Sequence, residues 1–171
     1  LNAISEKYEL PQTMENLKNN FFIVTGTGCR MRYVHSDPMN NAAIIRISAD
    51  GTYYEIIAEK NIKPTSELPS HLLIHNVILG KGRKIKTVIH THPIELVAMT
   101  HNSDFLGKDV LSKLLWSMIP ETRAFCPKGV GIVPYALPGS MELAQKTVEQ
   151  LDDYDVVLWE KHGALAIGED I

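Results

Sequence analysis

Short apolar runs alternate with polar breaks along the whole chain, and the period changes from run to run. Residues 21–24 form one compact apolar strand, and residues 43–47 and 52–57 form two more around Asp50-Gly51, which predicts a β-hairpin. Leu68, Leu72, Leu73, Ile74 and Val77 recur at helical spacing, so a helix is expected from a Thr65 or Ser66 cap to about Leu79, with Pro69 in its first turn. Residues 86–89 are β-branched and read as a strand that Pro93 ends, and a helix over 94–99 follows from that proline. A helix over 109–118 comes next, with Glu121 in the loop after Pro120. Two short strands, 124–126 and 131–135, flank a Pro-Lys-Gly turn, and Ser140 caps a helix to about Leu151. Residues 156–159 and 164–167 are buried-looking strands joined by a bend at Lys161-His162-Gly163, where the glycine is expected to permit an unusual backbone angle. Residues 1–20 read as loop and turn with a short helical stretch near 14–18, and Asp37-Pro38 marks another turn. Strands and helices alternate irregularly with hairpins among them. The expected architecture is α/β: a mostly antiparallel central β-sheet sandwiched between helix layers, in a single domain covering 1–171.

Composition narrows the function classes. Seventeen basic and 20 acidic residues nearly cancel to a formal charge of −3 without a long block of either sign, which argues against a nucleic-acid footprint but leaves room for a small phosphate site. No apolar run approaches membrane-spanning length, and no signal-peptide pattern opens the sequence. Cys29 and Cys126 are far apart and follow no CxxC pattern, as expected of reduced packing residues in a cytoplasmic protein.

Candidate chemistry gathers in three stretches. His90 and His92 alternate onto one face of an extended segment, where two imidazoles can bind a single metal ion; two hydrogen-bonded polar residues at a strand end would give the same pattern. His162, in the bend between two core strands, completes a three-nitrogen set. Three imidazoles with an open position suit a catalytic zinc, whereas structural sites are closed by four ligands and favour cysteine. The second stretch is Thr25-Gly26-Thr27-Gly28 after the first strand, where backbone N–H groups and hydroxyls could converge on an anion, though an ordinary turn reads identically. The third is the helix start at Thr65 and Ser66, a plausible phosphate cradle. Glu67 there is also simply an acid well placed in a helix dipole. His71 and His75, four apart on the same helix without an HExxH pattern, read as packing or supporting histidines.

PTSEL, VIHTHP and the later KHG, in this order and spacing, resemble the class II zinc-dependent sugar-phosphate aldolases, and the similarity runs from about Phe21 to Gly168. The resemblance implies one Zn²⁺ per subunit held by His90, His92 and His162, with Glu67 as the acid/base at the reacting carbon. Thr27, Thr65 and Ser66 fall where that family grips the substrate phosphate. Glu121 matches a position that reaches into a neighbouring subunit's site, which implies a homotetramer with sites at subunit boundaries. The expected reaction is reversible cleavage of a ketose 1-phosphate to dihydroxyacetone phosphate and L-lactaldehyde. A fuculose-phosphate aldolase and a pentulose-phosphate 4-epimerase are sister possibilities; the epimerases resemble this chain but carry aspartate in place of Glu67. A non-catalytic module like the adducin head shares the resemblance but loses the zinc histidines. A zinc hydrolase would have no evident need for the hydroxyls. The family's earlier Gly-Asn loop and its C-terminal helix have no counterpart in these 171 residues, so part of a longer chain is expected.

Overall fold

A computed structural model describes residues 6–57, 60–107 and 109–170, and the statements below concern these residues. Their contacts gather into two compact units, 1–81 and 82–171, each built on its own four-stranded sheet.

In the first unit, β1 (Tyr8–Glu9), β2 (Phe21–Thr25), β3 (Ala42–Ile47) and β4 (Tyr53–Ile56) pair antiparallel in the order β1-β4-β3-β2. The expected hairpin is β3–β4, with Ile45 opposite Ile56 and Ile47 opposite Tyr54. Burial alternates along β3, so Ala43, Ile45 and Ile47 are fully buried. The helical stretch expected near 14–18 is a single 3₁₀ turn, Glu15–Leu17. The 37–38 turn opens a one-turn helix: α1 (Met31–Val34) is followed by α2 (Pro38–Asn41), with the Asp37 carboxylate accepting from Asn40 Nδ2 at 2.8 Å.

The long helix α3 (Leu68–Gly80) differs from expectation at its start. Glu67, rather than Thr65 or Ser66, holds the N-cap position, and no side chain caps the helix there. Residues 65–68 close a turn of their own first: Leu68 N–H donates to Thr65 O at 3.2 Å, and Glu67 N–H to Thr65 Oγ1 at 3.3 Å. Leu68, Leu72, Leu73, Ile74 and Ile78 are buried, each contributing roughly 1.5–3 kcal/mol as its apolar surface leaves water.

In the second unit, β5 (Thr87–Thr91), β6 (Val130–Val133), β7 (Val156–Trp159) and β8 (Gly163–Gly168) are ordered β5-β8-β7-β6. Pairing is antiparallel except between β6 and β7. A parallel pair needs a crossover, and α7 (Met141–Gln150) supplies it, with Ser140 Oγ accepting from Leu143 N–H at 3.2 Å as the cap predicts. Before it run α4 (Ile94–Met99), α5 (Val110–Met118) and α6 (Pro120–Phe125). Leu111 of α5 packs with Val130 and Leu158 in a buried cluster.

The strand expected at 124–126 is instead the end of α6, and Glu121 lies in that helix's first turn rather than in a loop. Three apolar residues are too few to distinguish strand from helix. Pro120 at the helix start, Glu121 against the N-terminal dipole and Arg123 in the last turn together favour the helix. Phe125, placed by the sequence in that short strand, is 87% exposed.

Candidate metal centre and hydroxyl cluster

β5 delivers His90 and His92 to one end of the second sheet, and the bend between β7 and β8 delivers His162 to the same place. One ligand atom from each of the three imidazoles lies within 4.8 Å of the others. The His90 and His92 Nε2 atoms are 2.9 Å apart. His90 Nδ1 is 3.0 Å from Ala164 O; a carbonyl only accepts, so Nδ1 carries the proton and the Nε2 lone pair points into the cluster. A cation drawing on the three rings would be met by that lone pair, and a neutral donor set of three nitrogens is one that zinc accepts. His92 is exposed while His90 and His162 are half-buried, so the cluster opens to solvent on one side.

Trp159 forms the floor. Its ring centroid lies 4.4 Å from that of His90 and 5.0 Å from that of His162, and it is 1% exposed. Its Nε1–H donates at 2.8 Å to Thr147 Oγ1, a fully buried hydroxyl on α7 that itself donates to Leu143 O. The sequence marked Trp159 only as strand core; its place three residues before His162 is the signal that could have found it.

Gly163 corrects one expectation. The left-handed residue of the bend is Lys161, with φ +60, while Gly163 has an ordinary strand conformation. Glycine is needed at 163 for space. A Cβ there would lie 2.5 Å from Thr91 O, 2.7 Å from His90 Cε1 and 2.8 Å from His92 Cδ2. The missing side chain is what lets β8 pass against the two strand histidines.

In the first unit the hydroxyl residues also come together, through the backbone. Gly26 bridges Pro64, Thr27 N–H donates to Lys63 O, and Thr65 N–H donates to Thr25 O, both at 2.9 Å. The two loops singled out in the sequence are thus stitched side by side, bringing Thr27 beside 63–65 and the start of α3. The N–H groups of Thr27, Thr65, Glu67 and Leu68 are spent inside the protein. These four amides are therefore engaged inside the protein, and the anion cradle of backbone N–H groups that the sequence suggested is not formed by them. Thr27 and Ser66 are exposed, Thr65 is half-buried, and Glu67 is 5% exposed. Glu121, in the second unit, is exposed on α6.

His75 on α3 is 9% exposed, with its ring 5.1 Å from that of Phe22, and burial pulls its pKa down to about 4. That is a packing histidine, as the sequence suggested. Among the described residues no helix is long and apolar enough to cross a membrane.

Comparison with known proteins gives consistent matches. The family described as Class II Aldolase and Adducin N-terminal domain matches residues 3–171. A rhamnulose-1-phosphate aldolase of Bacteroides thetaiotaomicron is 54% identical over 170 residues, covering 99% of this chain and 63% of that protein. Its namesake in Klebsiella pneumoniae is 36% identical over 162 residues, covering 93% of this chain and 58% of the relative. The chain therefore spans about six-tenths of the length of these curated relatives. The crystal structure of a sugar-phosphate aldolase from Thermotoga maritima superposes over the whole chain and 73% of its own, with a TM-score of 0.77 and 34% identity.

Proposed function

The chain belongs to the Class II Aldolase and Adducin N-terminal domain family, and from that footing we propose that it carries the reaction centre of a metal-dependent L-rhamnulose-1-phosphate aldolase. The observation that carries the reading is the convergence of His90, His92 and His162, in a chain 54% identical to a rhamnulose-1-phosphate aldolase. An interaction module has no use for three imidazoles held within 4.8 Å of one another.

The chemistry assigns a role to each residue. Cleaving a ketose 1-phosphate between C3 and C4 leaves negative charge on the three-carbon product, which is costly near neutral pH. When bound at His90, His92 and His162, Zn²⁺ supplies Lewis-acid stabilisation of that charge. In the cleavage direction the C4 hydroxyl loses its proton to solvent as the C3–C4 bond breaks and the aldehyde forms, and Glu67 delivers a proton to the carbon left behind; condensation reverses both transfers. Thr27, Thr65 and Ser66 hold the phosphate through their hydroxyls and fix the orientation of the carbon chain. The products are dihydroxyacetone phosphate and L-lactaldehyde. Glu121, exposed in the first turn of α6, is assigned to a neighbouring subunit's site in a cytoplasmic homotetramer.

The test is release of dihydroxyacetone phosphate from L-rhamnulose 1-phosphate by the full-length protein, with and without a chelator. Release abolished by the chelator and restored by zinc supports the assignment. Activity on L-fuculose 1-phosphate alone moves it to the sister aldolase. An epimerised pentulose phosphate without free aldehyde moves it to the epimerase, and a protein that takes up no metal returns it to the interaction module.

A further inference from the structure

The bend that presents His162 is held in an unfavourable conformation by a group on another element. His162 N–H donates to Trp159 O at 3.0 Å, closing the turn 159–162. Its third residue, Lys161, has φ +60. That left-handed position normally goes to glycine or asparagine, because a Cβ crowds the backbone there. Lys161 is exposed, so packing of its side chain does not account for the conformation. Its backbone N–H instead donates at 2.8 Å to Thr100 Oγ1, 61 residues away in sequence.

Thr100 is built to accept that bond. It is 1% exposed, and its own hydroxyl proton is committed to Val97 O at 2.7 Å, which leaves its lone pairs for Lys161. Thr100 is also the residue that ends α4, and α4 begins directly after His92 and Pro93. A continuous path therefore runs from the strand ligands through Pro93 and α4 to Thr100, across one hydrogen bond to Lys161, and on to His162. On the exposed side Glu160 adds a second tie, with its carboxylate 3.0 Å from both Tyr135 N and Lys161 Nζ.

We propose that Thr100 is a positioning residue for the metal centre: its hydroxyl holds Lys161 in the left-handed turn and so sets His162 in register with His90 and His92. The proposal rests on the metal reading above. A bond that ends a helix alone would stabilise α4 without any dependence on the residue at 161. A positioning bond becomes dispensable when the turn no longer needs holding, as when Lys161 is replaced by glycine.

The experiment is titration of the metal-stripped full-length protein with Co²⁺, followed by the visible absorption of the bound ion, with folding monitored by circular dichroism. Thr100→Val is expected to weaken Co²⁺ binding about tenfold, in the range seen when groups that orient ligands are removed. Thr100→Ser, which keeps the hydroxyl, is expected to bind like wild type. In a Lys161→Gly background the Thr100→Val penalty should shrink to about threefold or less, since glycine adopts the turn unaided. Lys161→Val, an exposed change that resists positive φ, should weaken binding with Thr100 intact, and it decides the matter if Thr100→Val does not fold. Equal penalties in both backgrounds, wild-type binding by Thr100→Val, or wild-type binding by Lys161→Val would each overturn the role of Thr100. Absence of Co²⁺ binding by wild type would instead overturn the metal reading and this proposal with it.

Discussion

On α3 of the first unit, His71 and His75 lie four residues apart; in the second, His90 on β5 and His92 just past its end lie two apart. Both spacings place two imidazoles on one face of their element, and both could be written down as half of a metal site. Their surroundings differ. His75 is 9% exposed and lies against Phe22, in a setting that disfavours the charged ring. His90 has its Nδ1 committed to Ala164 O, its Nε2 2.9 Å from that of His92, and a third imidazole arriving from β7–β8. Spacing makes a histidine pair eligible; solvent access, a fixed tautomer and a third donor make it a candidate ligand set.

The largest effects expected are on turnover, and they separate the two units. His92→Ala should lose stoichiometric zinc and activity together. Glu67→Gln, in the first unit, should keep its zinc while the rate falls about 10²–10⁴-fold, the usual worth of a positioned acid/base. Metal analysis beside steady-state rates distinguishes them. An unchanged rate in Glu67→Gln would remove that residue from proton transfer, and retained zinc in His92→Ala would break the ligand assignment.

Gly163→Ala is expected to come next. The added methyl meets Thr91 O, a backbone atom, at 2.5 Å, and the flanking imidazole rings at 2.7 and 2.8 Å. The β5–β8 pairing must shift to admit it, so thermal unfolding should register a loss of about 3 kcal/mol, at the upper end of overpacking costs. Zinc content should fall as well. A variant that unfolds and binds zinc like wild type would show that the strands have slack the structure does not display.

Much of this was legible in the sequence, and the remainder was hidden for identifiable reasons. Most strands, the 43–57 hairpin and the Ser140 cap could be read because alternation and turn residues are local signals. His90, His92 and His162 could be singled out because alternate residues on one face of a strand and a third in a core bend are local patterns, and the structure brings the three together. α6 was misread because a three-residue apolar run has no period to measure. The reason for Gly163 was misread because a close approach across the β5–β8 pair looks, along the chain, the same as a need for an unusual angle. Thr100 gave no signal, since its partner is 61 residues distant. Thr27, Thr65 and Ser66 were singled out through family resemblance more than through physics. Hydroxyls beside a helix start are common, and the backbone bridge joining their two loops appears only in three dimensions.

A smaller effect should expose the packing role of His75. Burial depresses its pKa to about 4 from an ordinary 6.5, so between those values the unfolded chain binds the proton more readily than the folded one. The stability it contributes is complete above pH 6.5 and is lost as pH falls toward 4, by about 3 kcal/mol. Denaturant unfolding across pH 4–7 should show this slope in wild type and a flatter one in His75→Leu. Identical slopes would mean that the ring is already accessible to protons in the folded protein.

Gly28→Ala should produce the smallest change, and it sharpens the contrast with Gly163. Gly28 has φ +72, yet a Cβ built on it meets nothing within 4 Å. Its requirement is one of angle without crowding, the reverse of Gly163. Alanine there should cost about 1 kcal/mol from the left-handed backbone alone. Asparagine, which tolerates that region better, should recover part of the loss. The phosphate-gripping role proposed for the neighbouring Thr27 turns this into a functional test: the Michaelis constant for the sugar phosphate should rise while zinc content stays at wild-type level. Loss of zinc from Gly28→Ala would mean that the loop governs the metal ligands as well, and the division of labour drawn here between the two units would fail.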